Sequence, residues 1–210
     1  MIDPHRTAQS PNLASGMMVV VVGPSGAGKD TLMDYAARHF ADKPGFHFTR
    51  RVITRSGDAG GENHDSVSAG EFDQRQRDGA FAVFWQAHGL KYGIPASVHG
   101  HLEAGHVVVA NGSRSALPQF GMVFPNLKIV NIVARPEVLA KRLEQRGRET
   151  RDDILRRLQR SAPTVLGDFD VTTVDNSGAI EDAGKTIIRV LEQSYSACRN
   201  ARSDRTTLDK

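Results

Sequence analysis

Met17-Met18-Val19-Val20-Val21-Val22-Gly23-Pro24-Ser25-Gly26-Ala27-Gly28-Lys29-Asp30-Thr31-Leu32 decides how this chain is read. An apolar, largely β-branched run stops at Gly23, a glycine-rich stretch follows, and after Lys29 the apolar residues recur at helical spacing (Leu32, Tyr35, Ala36, Phe40). Glycine-rich turns before helices are common as plain structural turns. Here the preceding strand, the spacing up to Gly28-Lys29 and the following helix together give the context of a phosphate-binding P-loop. The loop from Gly23 through Thr31, by its backbone N–H groups (Pro24 has none) and the helix N-terminus, would cradle nucleotide phosphates, and Lys29 would reach the β- and γ-phosphates. The pattern departs at one place. A Ser or Thr is expected after the lysine to ligate magnesium, and this chain has Asp30, with Thr31 one place later.

Working outward, 210 residues fit one domain with small inserted lobes. Apolar content of 39% and charged content of 24% are ordinary for a globular protein. The pI is near 9.2, yet the net charge is only +3, so no field for a polyanion follows, and no nucleic-acid partner is expected. Basic residues gather locally instead, at Arg50, Arg51 and Arg55 and again at Arg142, Arg146, Arg148, Arg151, Arg156, Arg157 and Arg160. Such clusters suit the phosphates of a small substrate. The one cysteine, Cys198, allows no internal disulfide and is compatible with a reducing cytoplasm. Residues 1–16 lack a signal-peptide core, and Met17–Val22 is too short to span a bilayer, so a cytoplasmic protein without membrane contact is expected. The histidines show no zinc-ligand spacing.

Residues 1–16 and 198–210 read as flexible tails around a domain at 17–197. Strands are expected at Met17–Val22, Phe46–Thr54, Phe81–Ala87, His106–Ala110, Leu127–Ala134 and Val171–Val174. Helices are expected at Asp30–Phe40, Pro95–Ala104, Pro136–Gln145, Asp152–Ser161 and Ala179–Ser194. Another starts after Ser68, where Glu71 completes a capping box. Ser56–His64 reads as a polar loop and Tyr92-Gly93-Ile94-Pro95 as a turn. Strand–helix alternation with near-continuous apolar strands predicts an α/β fold with a parallel, doubly wound sheet, and ligands at the carboxyl ends of its strands.

Several pieces in order resemble the nucleoside-monophosphate kinases, the guanylate kinase branch in particular, over about residues 17–192. They are Gly23–Lys29; Thr54-Arg55 followed by Glu62; Val67-Ser68 before Phe72; Gly89 and Tyr92-Gly93; Arg146-Gly147 with Arg157; and Phe169-Asp170. The resemblance implies a P-loop NTPase core with a small acceptor-binding lobe (about 46–95) and a lid (about 142–160), using ATP and Mg²⁺. Guanylate kinases read guanine with a Glu and a Ser/Thr. With Tyr92-Gly93 in register, those places hold Val83 and Ile94, which neither donate nor accept a hydrogen bond. Guanine recognition is therefore expected to be lost while phosphate recognition stays. The phosphate-binding Tyr of that branch corresponds to His64.

The segments Phe84-Trp85-Gln86-Ala87-His88-Gly89-Leu90-Lys91-Tyr92-Gly93-Ile94, Val109-Ala110-Asn111-Gly112-Ser113-Arg114 and Arg146-Gly147-Arg148-Glu149, with Asp30, resemble the ribose 1,5-bisphosphate phosphokinases. That resemblance implies transfer of the ATP γ-phosphoryl group to the 1-phosphate of the sugar, giving 5-phosphoribosyl 1-diphosphate, for phosphonate breakdown or for general phosphoribosyl supply. It implies Lys29, Arg146 and Arg157 as catalytic cations. Arg51, Arg55, His64 and Tyr92 would hold an acceptor phosphate, and Asn111 and Arg114 the ribose and its 5-phosphate. Arg142 and Arg148 are nearby candidates, and Trp85, His88 and Ser113 could also meet the sugar. Asp30 reads in two ways: as a magnesium ligand whose charge has moved from the strand end, now Asn111, or as the cap of the helix N-terminus, where an acid is favourable. Tyr92 and Trp85 also suit a core, and scattered arginines a solvated helix face. Competing readings are a guanylate kinase, against which Val83 and Ile94 stand, and a non-catalytic binding module, against which the intact Gly28-Lys29 stands. With no nucleophile–base constellation in the sequence, direct transfer is expected rather than a phosphoenzyme.

Overall fold

A computed structural model describes residues 16–55, 63–145 and 164–208. In chain order its elements are β1 (Met17–Val22), α1 (Lys29–His39), β2 (Phe46–Thr49), β3 (Val52–Ile53), β4 (Asp65–Ser66), α2 (Ala69–Arg77), β5 (Phe81–Ala87), β6 (Leu90–Pro95), α3 (Val98–Glu103), β7 (Val107–Asn111), α4 (Leu117–Val123), β8 (Leu127–Val133), α5 (Pro136–Gln145), β9 (Asp170–Asp175) and α6 (Ile180–Leu208). The lid arginines Arg146, Arg148 and Arg157, the residue Glu62, the helix expected at 152–161 and most of the N-terminal tail lie outside the described residues.

β1 is the central strand of a parallel sheet in the order β2-β7-β1-β8-β9. Its side chains alternate between two cores. Val19 and Val21 pack with Leu32 and Ala36 of α1 and Ile187 and Leu191 of α6. Met18, Val20 and Val22 pack with Val98 and Leu102 of α3, Leu117 and Phe120 of α4, and Val83, Trp85 and Ile94 of the antiparallel pair β5 and β6. Both faces of the sheet are thus covered, which is why its inner strands are apolar without alternation. The fold is the expected doubly wound α/β arrangement. Among the described residues no helix is long and apolar enough to cross a membrane.

A second sheet, in the order β4-β3-β6-β5, stands beside the first. Its geometry corrects two expectations. The strand expected over 46–54 is two strands. β2 pairs parallel with β7, whereas Val52 and Ile53 pair antiparallel with Gly93 and Tyr92. The chain changes sheets at Arg50-Arg51, and the small sheet begins at Val52. Tyr92–Pro95 is not a turn but part of β6. The turn lies at His88-Gly89, both at positive φ (52° and 74°) between the paired Ala87 and Leu90, the geometry of a two-residue hairpin loop. In α2 the capping position is as read: the Ser68 hydroxyl accepts from the Glu71 amide at 3.2 Å.

Two helices were not foreseen at their observed extent. α4 buries Leu117 and Phe120 and leaves Met122 79% exposed. α6 runs through the segment expected as a C-terminal tail. Ile187, Val190, Leu191, Ser194 and Cys198 are all buried, so its apolar stripe continues at helical spacing past residue 194. Burial pushes the Cys198 thiol pKa up.

The fold generates two predictions. Phe120→Ala should remove about 3–5 kcal/mol in urea unfolding, whereas Met122→Ala should stay within about 0.5 kcal/mol; equal losses would mean the second core is wrongly placed. His47 stacks on His101 with ring centroids 3.7 Å apart, and burial, followed by the charges of His101 and His106, holds its pKa below 6.5. Its folded pKa lies below the unfolded value, so the unfolded chain binds the proton more readily. Stability should therefore fall as pH drops through the range below about 6.5, and His47→Gln should flatten that slope in thermal melts run across pH.

Candidate active site

β1 delivers Gly23 to the carboxyl edge of the sheet, where the loop to α1 turns over the ends of the neighbouring strands. The loop has no room for other residues at two places. A Cβ on Gly23 would overlap the Ile132 carbonyl, and one on Gly28, at φ 87°, would overlap the Asn176 amide. Ala27 is fully buried. The Asn176 side chain donates to the Ala27 carbonyl at 2.7 Å, and its backbone N–H donates to Val133 at 2.8 Å. The loop is thus tied to the ends of β8 and β9. Lys29 folds back along it, with Nζ donating to the carbonyls of Gly23 (2.9 Å) and Pro24 (3.2 Å). Arg142, on α5, reaches the Gly26 carbonyl at 3.5 Å.

Asp30 does not cap α1. The cap is Gly28, and Asp30 lies in the first turn. Its carboxylate accepts from the Asn111 amide at 2.7 Å, and Asn111, 5% exposed, ends β7. Two carboxylates this close would raise each other's pKa; an amide at the strand end instead donates to the single charge. Both side chains carry oxygen donors of the kind Mg²⁺ takes.

Opposite the loop stand the basic residues of the sheet junction. Arg51 lies over Trp85 and Tyr92, with Cζ 5.7 and 5.1 Å from the ring centroids, a position in which the ring faces hold the guanidinium. Arg55 follows β3. The Thr54 hydroxyl accepts from the Lys91 amide at 2.9 Å and fixes this segment to the hairpin. His64 and Ser66 both bind the Arg55 carbonyl, and His64 Nδ1 lies 3.5 Å from Arg55 Nη2. Arg114, beyond β7, donates to the buried Asn131 Oδ1 at 3.0 Å, and burial pulls its pKa below the ordinary guanidinium value.

These groups share one cleft of about 390 Å³. It is lined by Gly23, Ser25, Gly26, Gly28, Lys29, Asp30 and Thr31 on the loop side and by Arg51, Arg55, Trp85, His88, Tyr92, Asn111, Ser113 and Arg114 on the other. Asp30 is the one carboxylate among the described lining residues, set against Lys29 and three arginines, so the cleft favours multiply anionic ligands. Of the sequence-read residues, Pro24 and Ala27 belong to the loop but not to the cleft wall, and His64 stands behind Arg55. Val83 and Ile94 face each other across the hairpin, 2% and 0% exposed, and do not line the cleft. Sequence reasoning missed Asn131 and Asn176. For Asn131 the signal present was a lone Asn inside the largely apolar strand β8; Asn176 follows the polar strand β9 and carried no such signal. A separate cavity of about 430 Å³ lies at the other end of the sheet, beside Gly45, His106 and Cys198, and shares no residue with the loop.

The geometry is that of a phosphate-loop enzyme, and comparison with known proteins agrees. The family model for guanylate kinase matches residues 15–194. A ribose 1,5-bisphosphate phosphokinase from Agrobacterium fabrum is 77% identical over 84% of this chain and 97% of its own length. One from Rhizobium etli is 62% identical over 84% and 90%, and one from Brucella melitensis 44% identical over 85% and 93%. A solved guanylate kinase from Anaplasma phagocytophilum superposes with a TM-score of 0.60 at 16% identity, covering 88% of this chain and 89% of that one, a likeness of fold. With a family model spanning most of its length and relatives this similar, the chain belongs to the guanylate kinase family, in its ribose 1,5-bisphosphate phosphokinase branch.

Proposed function

We propose that this chain transfers the γ-phosphoryl group of ATP to the anomeric phosphate of ribose 1,5-bisphosphate, giving ADP and 5-phosphoribosyl 1-diphosphate. The observation that carries this reading is the single cleft with a phosphate loop on one wall and Arg51, Arg55 and Arg114 on the other. The names of the relatives at 77% and 62% identity support the choice of sugar. The aliphatic Val83–Ile94 pair supports the exclusion of guanine.

In the transfer an acceptor phosphate oxygen bonds to the γ-phosphorus, the bond from that phosphorus to the β,γ-bridging oxygen breaks, and ADP leaves with the electron pair. The acceptor oxygen is already anionic at neutral pH, so no general base is needed. Positioning and charge neutralisation do the work. Lys29 and the loop N–H groups hold the donor phosphates of ATP, the phosphate donor of this kinase family. Arg51 and Arg55 hold the acceptor phosphate as bidentate forks, with the Tyr92 hydroxyl beside them. His64 acts behind Arg55, as a positioning residue. Arg114, steadied by Asn131, and Asn111 face the ribose and its 5-phosphate. Arg146 and Arg157 would complete the neutralisation of the transferred group, on the strength of their motif position alone. Asp30, oriented by Asn111, would hold Mg²⁺, which when bound offsets donor-phosphate charge. On composition, we read the protein as cytoplasmic and acting on small molecules without nucleic acid or membrane.

ADP release with Mg-ATP, followed side by side on ribose 1,5-bisphosphate and GMP, should show turnover on the sugar alone with phosphoribosyl diphosphate accumulating. Turnover on GMP would mean that the chain acts as a guanylate kinase. Asn176→Ala should raise the Kd for ATP about tenfold by calorimetry, the scale of one lost hydrogen bond; an unchanged Kd would remove Asn176 from the loop's support. Asp30→Ser should raise the Mg²⁺ concentration at half-maximal rate and lessen the thermal protection that Mg²⁺ adds to that of ATP alone. If neither moves, Asp30 is only a favourable acid at a helix N-terminus.

A further inference from the structure

We propose that Trp85 sets the size of the acceptor: its indole fills the space a nucleobase would take, so the cleft admits a phosphorylated sugar and refuses a nucleoside monophosphate. The inference rests on the reading of the cleft given above and names the residue that carries its selectivity.

On one face of the β5–β6 hairpin the facing pairs are Val83 with Ile94, Trp85 with Tyr92, and Ala87 with Leu90. Side chains two residues apart share a face, so these pairs form successive rungs. The first rung, at the positions aligned with guanine reading, is buried and does not line the cleft. The second rung does line it, and Trp85 is only 6% exposed. The indole is therefore packed in place, with one edge showing in the cleft wall.

Its neighbours keep it there. Tyr92 is stacked on it, with centroids 5.4 Å apart and planes within 7°. Phe120 of α4, fully buried, lies 6.1 Å away, so the indole has no room to withdraw towards the core. Arg51 covers the rung from the side of the sheet junction. An indole is a fused bicycle of the same frame as a purine, so the protein places its own bicycle where a substrate's would go. A ribose carries no such group and needs only the phosphate-binding cations around it. One arrangement thereby gives rejection by volume and seats Arg51 against the aromatic faces.

The test replaces Trp85 by Ala and measures GMP and AMP binding by calorimetry with the donor site filled by a non-hydrolysable ATP analogue. Trp85→Leu, which keeps an apolar side chain against Phe120, is run beside it so that a folded variant carries the comparison. Protection by Mg-ATP in thermal melts certifies the fold. Both nucleotides should bind at least tenfold tighter to the variants than to the wild type, and about equally, because Val83 and Ile94 offer a base edge no hydrogen bonds. Trp85→Phe should still exclude both. If folded Trp85→Ala and Trp85→Leu bind GMP and AMP no better than the wild type, the proposal is overturned. If GMP alone gains, it is overturned as well, since a base-reading group must then exist. These readouts use nucleotides only, so they stand apart from the assay on ribose 1,5-bisphosphate that tests the activity itself.

Discussion

β1 lies between β7 and β8 with every residue from Met18 to Val22 buried, and the phosphate loop depends on that immobility. A strand held on both edges and both faces has a fixed carboxyl end. The loop that leaves it is then tied down by neighbours from the same edge: Ile132 crowds Gly23, Asn176 binds Ala27 and crowds Gly28, and Asn111 binds Asp30. Phosphate binding through backbone N–H groups requires those groups to be aimed before the ligand arrives, because reorganisation at the moment of reaction would cost much of the gain. Here the aiming comes from strand ends brought together by parallel pairing, together with the glycines that let the loop pass so close to them.

The other half of the cleft depends on one break in strand pairing. Phe46–Thr49 belongs to the main sheet and Val52–Ile53 to the small one. Arg50-Arg51 is the crossing, so basic residues stand at the seam between the wall that carries the loop and the wall that carries the hairpin. Trp85 and Tyr92 then receive Arg51, and His64 and Ser66 hold the backbone of Arg55. The donor side is rigid because it is core. The wall read as the acceptor side is built from the β5–β6 hairpin, whose Val83, Trp85 and Ile94 belong to the second core, and from the contacts around Arg51 and Arg55.

What the sequence disclosed follows from how local each signal is. The β1–loop–α1 unit was legible because strand, glycines, lysine and helix are adjacent and each has its own physical signature. β5 and α5 were legible at their full extent for the same reason. The break after Thr49 was not, since Phe46–Thr54 reads as one run and only pairing with two different partners divides it. β6 was masked by Gly93 and Pro95, which read as turn residues, although the left-handed pair that turns the chain is His88-Gly89. The end of α6 was hidden by the polar residues after Cys198, of which Arg202 donates to the Ala104 carbonyl at 3.2 Å, a contact 98 residues away in sequence. Within the site, Lys29, Asp30, Arg51, Arg55, Tyr92, Asn111 and Arg114 were named from motifs and meet in one cleft. Asn131 and Asn176 act through contacts 17 and 149 residues away in sequence, a distance no local pattern spans.

On the proposed function, donor and acceptor phosphates meet in this one cleft and the phosphoryl group passes directly between them. The most direct measurement is the stereochemical course of transfer from ATP made chiral at the γ-phosphorus with oxygen isotopes. A single in-line displacement inverts the configuration, and inversion is the result predicted. Retention would require two displacements through a group on the protein, and would contradict an account in which Lys29 and the arginines only bind and neutralise.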